Sequence, residues 1–169
     1  MKKSYKIPGI VILVLIIFIA LLVYLNRPPA AVVSGTLTIS HAQQDIYIFT
    51  LEELKALPHL DIEKEIISSS SPSESGRWRG VALRDLLAVI DPNILAQAKQ
   101  VDAYAEDAFA ASYSLVEVLK SDSVMVVYAK DGVALATKRE GGKGPLRIIV
   151  QDDHYGNRCL MYLWKIELR

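Results

Sequence analysis

The hydrophobic pattern of the chain changes abruptly near residue 26. Residues 10–25 form a run without charge, and residues 7–9 extend it to nineteen positions. A helix of roughly twenty residues crosses a hydrocarbon core of about 30 Å, and a backbone in lipid must satisfy its own hydrogen bonds. The run therefore predicts one transmembrane helix over 7–25, preceded by a cytoplasmic N-terminus at 1–6.

Basic residues predict the orientation of that helix. Lys2, Lys3 and Lys6 precede the apolar run, and no acidic residue does. The positive-inside rule keeps this end in the cytoplasm and places the rest of the chain outside. A cleaved signal peptide is the alternative, but its apolar core usually has about 7–15 residues, and Pro28 lies where cleavage after Ala30 needs a small residue. We expect a single-pass cell-membrane protein with a periplasmic or extracellular C-terminal domain.

Beyond a short stiff linker at 26–34, the pattern predicts a domain over 35–169. Alternating or continuous apolar positions predict strands, at 36–40, 45–48, 60–67, 100–105, 108–113, 124–128, 146–150 and 160–168. The run at 124–128 is apolar throughout, which is typical of a strand that is covered on both faces.

Capping boxes at 50–53 and 114–117, together with one apolar stripe, predict three short helices. These helices are expected at 51–57, 82–90 and 114–119, and the Asp-Pro-Asn sequence at 91–93 is expected to stop the second. Many short strands with a few short helices indicate an α+β domain built on a mixed β-sheet.

The charge distribution argues against one class of partner. The formal net charge is zero, but four basic residues precede position 28, which leaves 15 basic and 19 acidic residues in the domain. A mildly acidic domain without a basic stripe is not typical of nucleic-acid binding. We therefore expect no nucleic-acid partner.

Short motifs follow one another through the domain in a fixed order. They occupy 49–54, 78–87, 128–132, 144–150, 155–158 and 164–168. Their order and spacing resemble the molybdopterin-binding domain of the sulfite oxidase family of oxidoreductases. The resemblance implies a sulfite-oxidase-like α+β fold with a mixed β-sheet and short helices, and it makes the molybdenum cofactor a candidate ligand.

The resemblance also shows a departure at the metal ligand. In that family, molybdenum is held by a pterin dithiolene and by a cysteine thiolate from the loop that precedes the Trp-x-Gly-Val segment. The matching loop here contains Ser68, Ser69 and Ser70, and the only cysteine, Cys159, lies far from it in sequence. A soft thiolate suits this metal, whereas a serine hydroxyl is a poor substitute at neutral pH.

Basic groups near the C-terminus hold the phosphate and pterin of the cofactor in the family. The resemblance implies that Arg147 and Arg158 have this role and that Gly156 permits a close backbone approach. The Arg147 guanidinium could clamp a phosphate with two hydrogen bonds. Arg147 could instead be a structural residue, either exposed on its strand or paired with Asp131 or Asp152.

Three further clusters suggest weaker sites. The glycine-rich stretch at 141–144 could cradle a phosphate through backbone N–H groups, although a plain hairpin loop fits it as well. The Asp-Asp-His sequence at 152–154 contains metal-ligand types, but adjacent residues rarely converge on one ion, so no metal site is predicted. Cys159 could react with oxidants, but its apolar neighbours favour an inert, half-buried residue.

Two functions remain open from the sequence. The first is a membrane-anchored, extracytoplasmic domain of molybdopterin-oxidoreductase type that has lost the metal thiolate and binds a small anionic ligand or a partner protein. The second is an oxidoreductase component that binds the molybdenum cofactor with its serine-lined loop in place of the thiolate. The absent cysteine favours the first.

Overall fold

The computed structural model describes residues 6–25, 34–68 and 72–169, and it describes the side chains of 11–22 in the first of these ranges. The chain divides into an N-terminal unit and a compact unit that extends from residue 33 to the C-terminus. Within the N-terminal unit, helix α1 covers Lys6–Leu25, and its large apolar side chains between Val11 and Leu22 are exposed.

Among the described residues, no helix reaches the combined length and hydropathy that a membrane crossing requires. The membrane span expected at 7–25 stays a prediction.

In the described part of the C-terminal unit, ten strands form the framework. They are β1 Thr36–His41, β2 Gln44–Thr50, β3 Leu60–Ile66, β4 Glu74–Ala82, β5 Gln100–Ala105, β6 Ala110–Ser114, β7 Val124–Lys130, β8 Val133–Ala134, β9 Arg147–Val150 and β10 Leu163–Leu168. One sheet has the order β2-β1-β10-β5-β6, with β1 and β10 parallel and the other pairs antiparallel. The second sheet joins β3, β4, β7 and β8, with β9 also paired to β7, all antiparallel. The first sheet is therefore mixed, as predicted, and a second sheet accompanies it.

Short helices and turns connect the strands. They are α2 Leu51–Ala56, α3 Leu83–Leu87, α4 Pro92–Gln97 and α5 Leu115–Lys120, with 3-10 turns at Lys138–Glu140 and Gly156–Arg158. The predicted capping box before α2 is confirmed, because the Thr50 hydroxyl accepts from the Glu53 N–H and the Glu53 carboxylate accepts from the Thr50 N–H.

Two helix predictions are corrected by the structure. The helix expected over 82–90 ends at Leu87, and a separate helix, α4, follows where only a stop was expected. The Asp91 carboxylate accepts a hydrogen bond from the Asn93 N–H at 2.8 Å, and Pro92 occupies the first turn. The Asp-Pro pair begins α4, because aspartate caps and proline suits the first helical position, whereas α3 has already ended at Leu87. The second predicted capping box is also wrong, since Ser114 makes no side-chain cap before α5.

Strand β7 lies at the centre of the packing, and its predicted burial on both faces is confirmed. Val124, Val126 and Tyr128 belong to the larger hydrophobic cluster. Met125 and Val127 point to the opposite face and belong to a smaller cluster that also contains Ile62, Ile66, Trp78 and Ile149. This smaller cluster forms the floor of the site described next.

Candidate functional site

Two adjoining cavities open beside the end of β3 and the turn that contains Gly156. Their volumes are about 480 Å³ and about 210 Å³. Ser68, Gly156, Cys159 and Met161 line both cavities, which we together call the cleft. The larger cavity adds Phe109 and Asp107 to this lining, whereas the smaller one adds Glu74, Lys143 and Arg147.

Arg147 is the first residue of β9 and is almost completely buried, with 3% of its surface exposed. Its Nη1 donates to Glu74 Oε2 at 3.2 Å, and its guanidinium carbon lies 4.7 Å from the centre of the Trp78 ring. Its Nε is buried and has no acceptor among the described residues. A buried charged donor without an acceptor is rare and costs free energy. Arg147 therefore has a hydrogen-bond donor that none of the described residues satisfies.

The Glu74 carboxylate is surrounded by three cations. Its Oε2 lies 2.8 Å from Lys143 Nζ as well as 3.2 Å from Arg147 Nη1, and its Oε1 lies 3.3 Å from Lys130 Nζ. We call these four residues, Glu74, Lys130, Lys143 and Arg147, the charged cage. One negative charge faces three positive charges, so the cage has a surplus of positive charge that a ligand can neutralise.

The same contacts fix the ionisation state of the cage. Burial raises the pKa of the Glu74 carboxyl, but the hydrogen bond from Lys143 and the charge of Arg147 outweigh burial and lower the pKa to about 2. Because the folded-state pKa is lowered, this pairing stabilises the protein above the ordinary pKa of glutamate and is lost as the pH falls toward 2. At neutral pH the carboxylate is therefore charged.

Trp78 supports the cage from below. The side chain is fully buried in the smaller hydrophobic cluster, and its Nε1 donates to the carbonyl of Lys64 at 3.1 Å. Lys130 Nζ lies 5.1 Å from the centre of the ring, and Arg147 covers it as well. The negative face of the indole attracts both cations. Trp78 is thus a core residue that also positions two charged groups.

The strand register explains how these residues meet. Trp78 is paired with Lys130 across β4 and β7, while Arg147 is paired with Val127 across β7 and β9. Glu74 and Trp78 lie four residues apart on β4, so they face the same side of the sheet. Glu74 and Lys130 were not predicted from the sequence, although the two-residue alternation of a strand places Glu74 on the face of Trp78.

Arg147 does not have the structural partners that were considered for it. Neither Asp131 nor Asp152 is bound to its guanidinium among the described contacts, and Glu74 takes their place. The prediction of a pairing with those aspartates is therefore wrong. Glu74 lies 73 residues earlier in the chain, and only the sheet brings it near.

Arg158 forms its own ion pairs, with partners that differ from those of Arg147. Its Nε and Nη2 donate to the two oxygens of Asp153 at 2.8 and 2.6 Å, and its Nη1 donates to Glu117 at 2.7 Å. Hydrogen bonds to Asp153 raise the pKa of Arg158 above its ordinary value, and the ring of Tyr113 lies 5.8 Å from the guanidinium carbon. Arg158 braces this part of the fold, and its role in cofactor binding stays a prediction.

Gly156 and the serine loop lie at the cleft. A Cβ on Gly156 would lie 2.4 Å from Ile66 Cγ2, and the Gly156 N–H donates to the carbonyl of Ile67 at 2.9 Å. The close contact that glycine permits at position 156 is therefore a contact with the end of β3. Ser68 lines both cavities, whereas Ser69 and Ser70 lie outside the described residues.

The glycine-rich stretch at 141–144 is a turn whose glycine N–H groups are hydrogen-bonded to nearby backbone carbonyls. Gly142 N–H donates to the carbonyl of Thr137, and Gly144 N–H donates to that of Ala136. Gly141 has a φ of +76°, in the region that favours glycine. These bonds favour the hairpin-loop interpretation over a phosphate cradle.

Cys159 lies at the junction of the two cavities and is half-buried. Burial raises the pKa of its thiol, although a backbone hydrogen bond and the charge of Arg147 act in the opposite direction. The net effect keeps the thiol protonated at neutral pH, and a protonated thiol is a weak nucleophile and a weak metal ligand.

Comparison with known proteins finds relatives for most of the chain. Residues 28–169 match the family model of the oxidoreductase molybdopterin binding domain. The sulfane dehydrogenase SoxCD from Paracoccus pantotrophus has a similar structure, with a TM-score of 0.62 and 18% sequence identity. That match covers 79% of this chain but 37% of that chain, and at such identity it shows the fold alone. No curated protein matches the sequence at a significant level.

Proposed function

The chain belongs to the family of oxidoreductase molybdopterin-binding domains, and from this premise we propose that its cleft binds a small anionic ligand through Arg147 and Lys143. In this proposal the domain keeps the ligand-holding wall of the fold without being a competent molybdenum enzyme. Fold and function are separable, because function depends on the residues of a site.

One observation carries the proposal. Arg147 Nε is buried without an acceptor in the described part of the chain, at the wall of a cavity that also contains Lys143. Charged N–H donors of this kind form short and strong hydrogen bonds with oxyanions, and the guanidinium fork suits two oxygens of one ligand. An oxyanion would supply the absent acceptor and neutralise the surplus charge of the cage.

The donors of the cleft fit the molybdenum ion poorly. Among the residues that line both cavities, Ser68 offers a hydroxyl, Met161 a thioether and Cys159 a thiol whose pKa burial raises. Molybdenum in this family is bound by a soft thiolate, and these groups are weaker donors for it. Lys143 and Arg147 fit a phosphate or another oxyanion, so the cleft suits an anion better than the metal.

The alternative is an oxidoreductase component that holds the molybdenum cofactor with the serine loop. Its support is the position of Ser68, which lines both cavities at the start of that loop. In this alternative, Arg147 and Lys143 would bind the phosphate of the cofactor, and the serine oxygens would replace the thiolate. Family membership makes this the second candidate.

We further propose that the domain is anchored by 7–25 and meets its ligand outside the cytoplasm. The apolar run at 7–25 and the three lysines before it, Lys2, Lys3 and Lys6, support this topology. Retention of the full chain in membranes after alkaline washing tests the anchor, and release into the supernatant would contradict it.

Millimolar sulfate is expected to stabilise the full chain, purified in a non-ionic detergent, with a saturable dependence at constant ionic strength. A ligand that binds the folded state at 100 times its dissociation constant adds about 2.7 kcal/mol to stability, which is several degrees in Tm. Lys143→Gln should remove most of this gain, because it deletes one donor at the cavity wall. Differential scanning fluorimetry measures both.

The matched control is Lys138→Gln. Lys138 lies in the turn just before the glycine-rich stretch and covers the Tyr162 ring, so it contacts no member of the cage in the described structure. This variant should respond to sulfate like the wild type, which separates site binding from the general stabilising effect of sulfate. Equal responses of all three proteins would contradict the proposal. Stoichiometric molybdenum in protein from a cofactor-producing host would establish the alternative.

A further inference from the structure

The Glu74 carboxylate occupies the position that an external oxyanion would need. Its Oε2 lies between Lys143 Nζ at 2.8 Å and Arg147 Nη1 at 3.2 Å, and all three residues line the smaller cavity. A carboxylate offers the same acceptor geometry as one edge of a sulfate or phosphate, and the same donors serve both. The cage therefore already holds an anion that belongs to the chain itself.

We propose that Glu74 is an internal competitor for the ligand site, and that a small doubly charged oxyanion, such as sulfate, phosphate or a phosphate monoester, displaces it from Lys143 and Arg147. The inference rests on the proposed function, because it assumes that the cleft binds an anion. It adds the charge class of the ligand and the residue that sets the affinity.

The charge balance of the cage selects the ligand class. Three cations converge on one carboxylate. Exchanging Glu74 for an external monoanion leaves that charge balance unchanged. The incoming ion loses translational entropy on binding, whereas Glu74 is already held nearby by the chain. A dianion brings one further unit of attraction, so it competes with Glu74 more strongly than a monoanion does.

Competition also predicts how the variants behave. Ligand can bind only while the Glu74 side chain is turned away, and the measured affinity is the intrinsic affinity reduced by the fraction of molecules in that state. If Glu74 holds the cage in about nine molecules of ten, removing its charge tightens binding by roughly tenfold. The gain is the same for every anion, because the same competitor has been removed.

The test measures dissociation constants of sulfate and nitrate by isothermal titration calorimetry on the full chain. For Glu74→Gln we expect sulfate to bind roughly tenfold more tightly, and nitrate to gain by a similar factor. Glu74→Ala is expected to show the same gains. It provides a second variant in case the side-chain amide introduced by Glu74→Gln packs badly. Glu65→Gln is the matched control. Glu65 is exposed on β3, on the side of the sheet that faces away from Glu74, and its replacement changes the net charge by the same amount.

Three outcomes would overturn the inference. Sulfate affinity that is unchanged in both Glu74 variants would mean that Glu74 does not compete. A sulfate gain equal to the square of the nitrate gain would identify a bystander charge that repels a dianion twice as strongly, rather than a displaced one. Absence of sulfate binding in the wild type and in both variants would instead overturn the proposed function itself.

Discussion

Replacing Trp78 with alanine is expected to lower the free energy of unfolding by about 3–5 kcal/mol. The indole is fully buried in the smaller hydrophobic cluster, so its removal leaves a cavity that neighbours fill only in part. It also removes the surface on which Lys130 and Arg147 rest, and it leaves the Lys64 carbonyl without its donor. Urea denaturation of the full chain measures the loss, provided that the m-value is unchanged.

Trp164→Ala is the matched control for this variant. Trp164 is the only other tryptophan, and it is partly exposed on β10, so its truncation should cost clearly less. Trp78→Phe should fall between the wild type and Trp78→Ala, because it keeps most of the packing but loses the hydrogen bond. The account fails if Trp78→Ala is no less stable than Trp164→Ala.

Replacing Arg147 with methionine is expected to weaken sulfate binding by roughly 10- to 150-fold, since a hydrogen bond to a charged group contributes about 1.5–3 kcal/mol. Methionine keeps a similar length and suits the buried position, so the fold should survive. Glu74 keeps its contacts with Lys130 and Lys143, which limits the damage to the cage. Calorimetric titration with sulfate measures the affinity, and circular dichroism checks the fold.

Arg79→Met is the appropriate comparison for Arg147→Met. Arg79 neighbours Trp78 on β4 but faces the other side of the sheet, where it binds Asp61 through two hydrogen bonds of 2.9 and 2.8 Å. Removing it deletes the same charge and leaves the cleft intact. Equal losses of sulfate affinity in the two variants would show that net charge, rather than the cleft, attracts the anion.

Much of the fold could be predicted from the sequence, because local patterns decide local structure. The continuous apolar run at 124–128 indicated a buried central strand, and the capping box at 50–53 gave the start of α2. The prediction around Asp91 was wrong, because its Asp-Pro pair caps a new helix, α4, whereas α3 ends earlier, at Leu87. Sequence rules alone do not show whether a new helix begins after one has ended.

The candidate site was predicted only in part, and the reason is strand register. Arg147 was found through a family resemblance, whereas Glu74 and Lys130 reach it across β4 and β7 from distant parts of the chain. The β4–β7 pairing shifts register between Arg79 and Gly80, so simple alternation does not fix which residues face each other. The ion pair between Arg158 and Glu117 likewise depends on α5, which approaches Arg158 only in the folded domain.

The most direct measurement of the central claim is a crystal structure of the full chain with selenate, a dianion whose selenium gives an anomalous signal. We expect a selenium peak in the cleft whose selenate oxygens lie within hydrogen-bond distance of Lys143 Nζ and the Arg147 guanidinium, with the Glu74 carboxylate turned away from both. A cleft without that peak at saturating selenate, with Glu74 still held between the two cations, would contradict the claim.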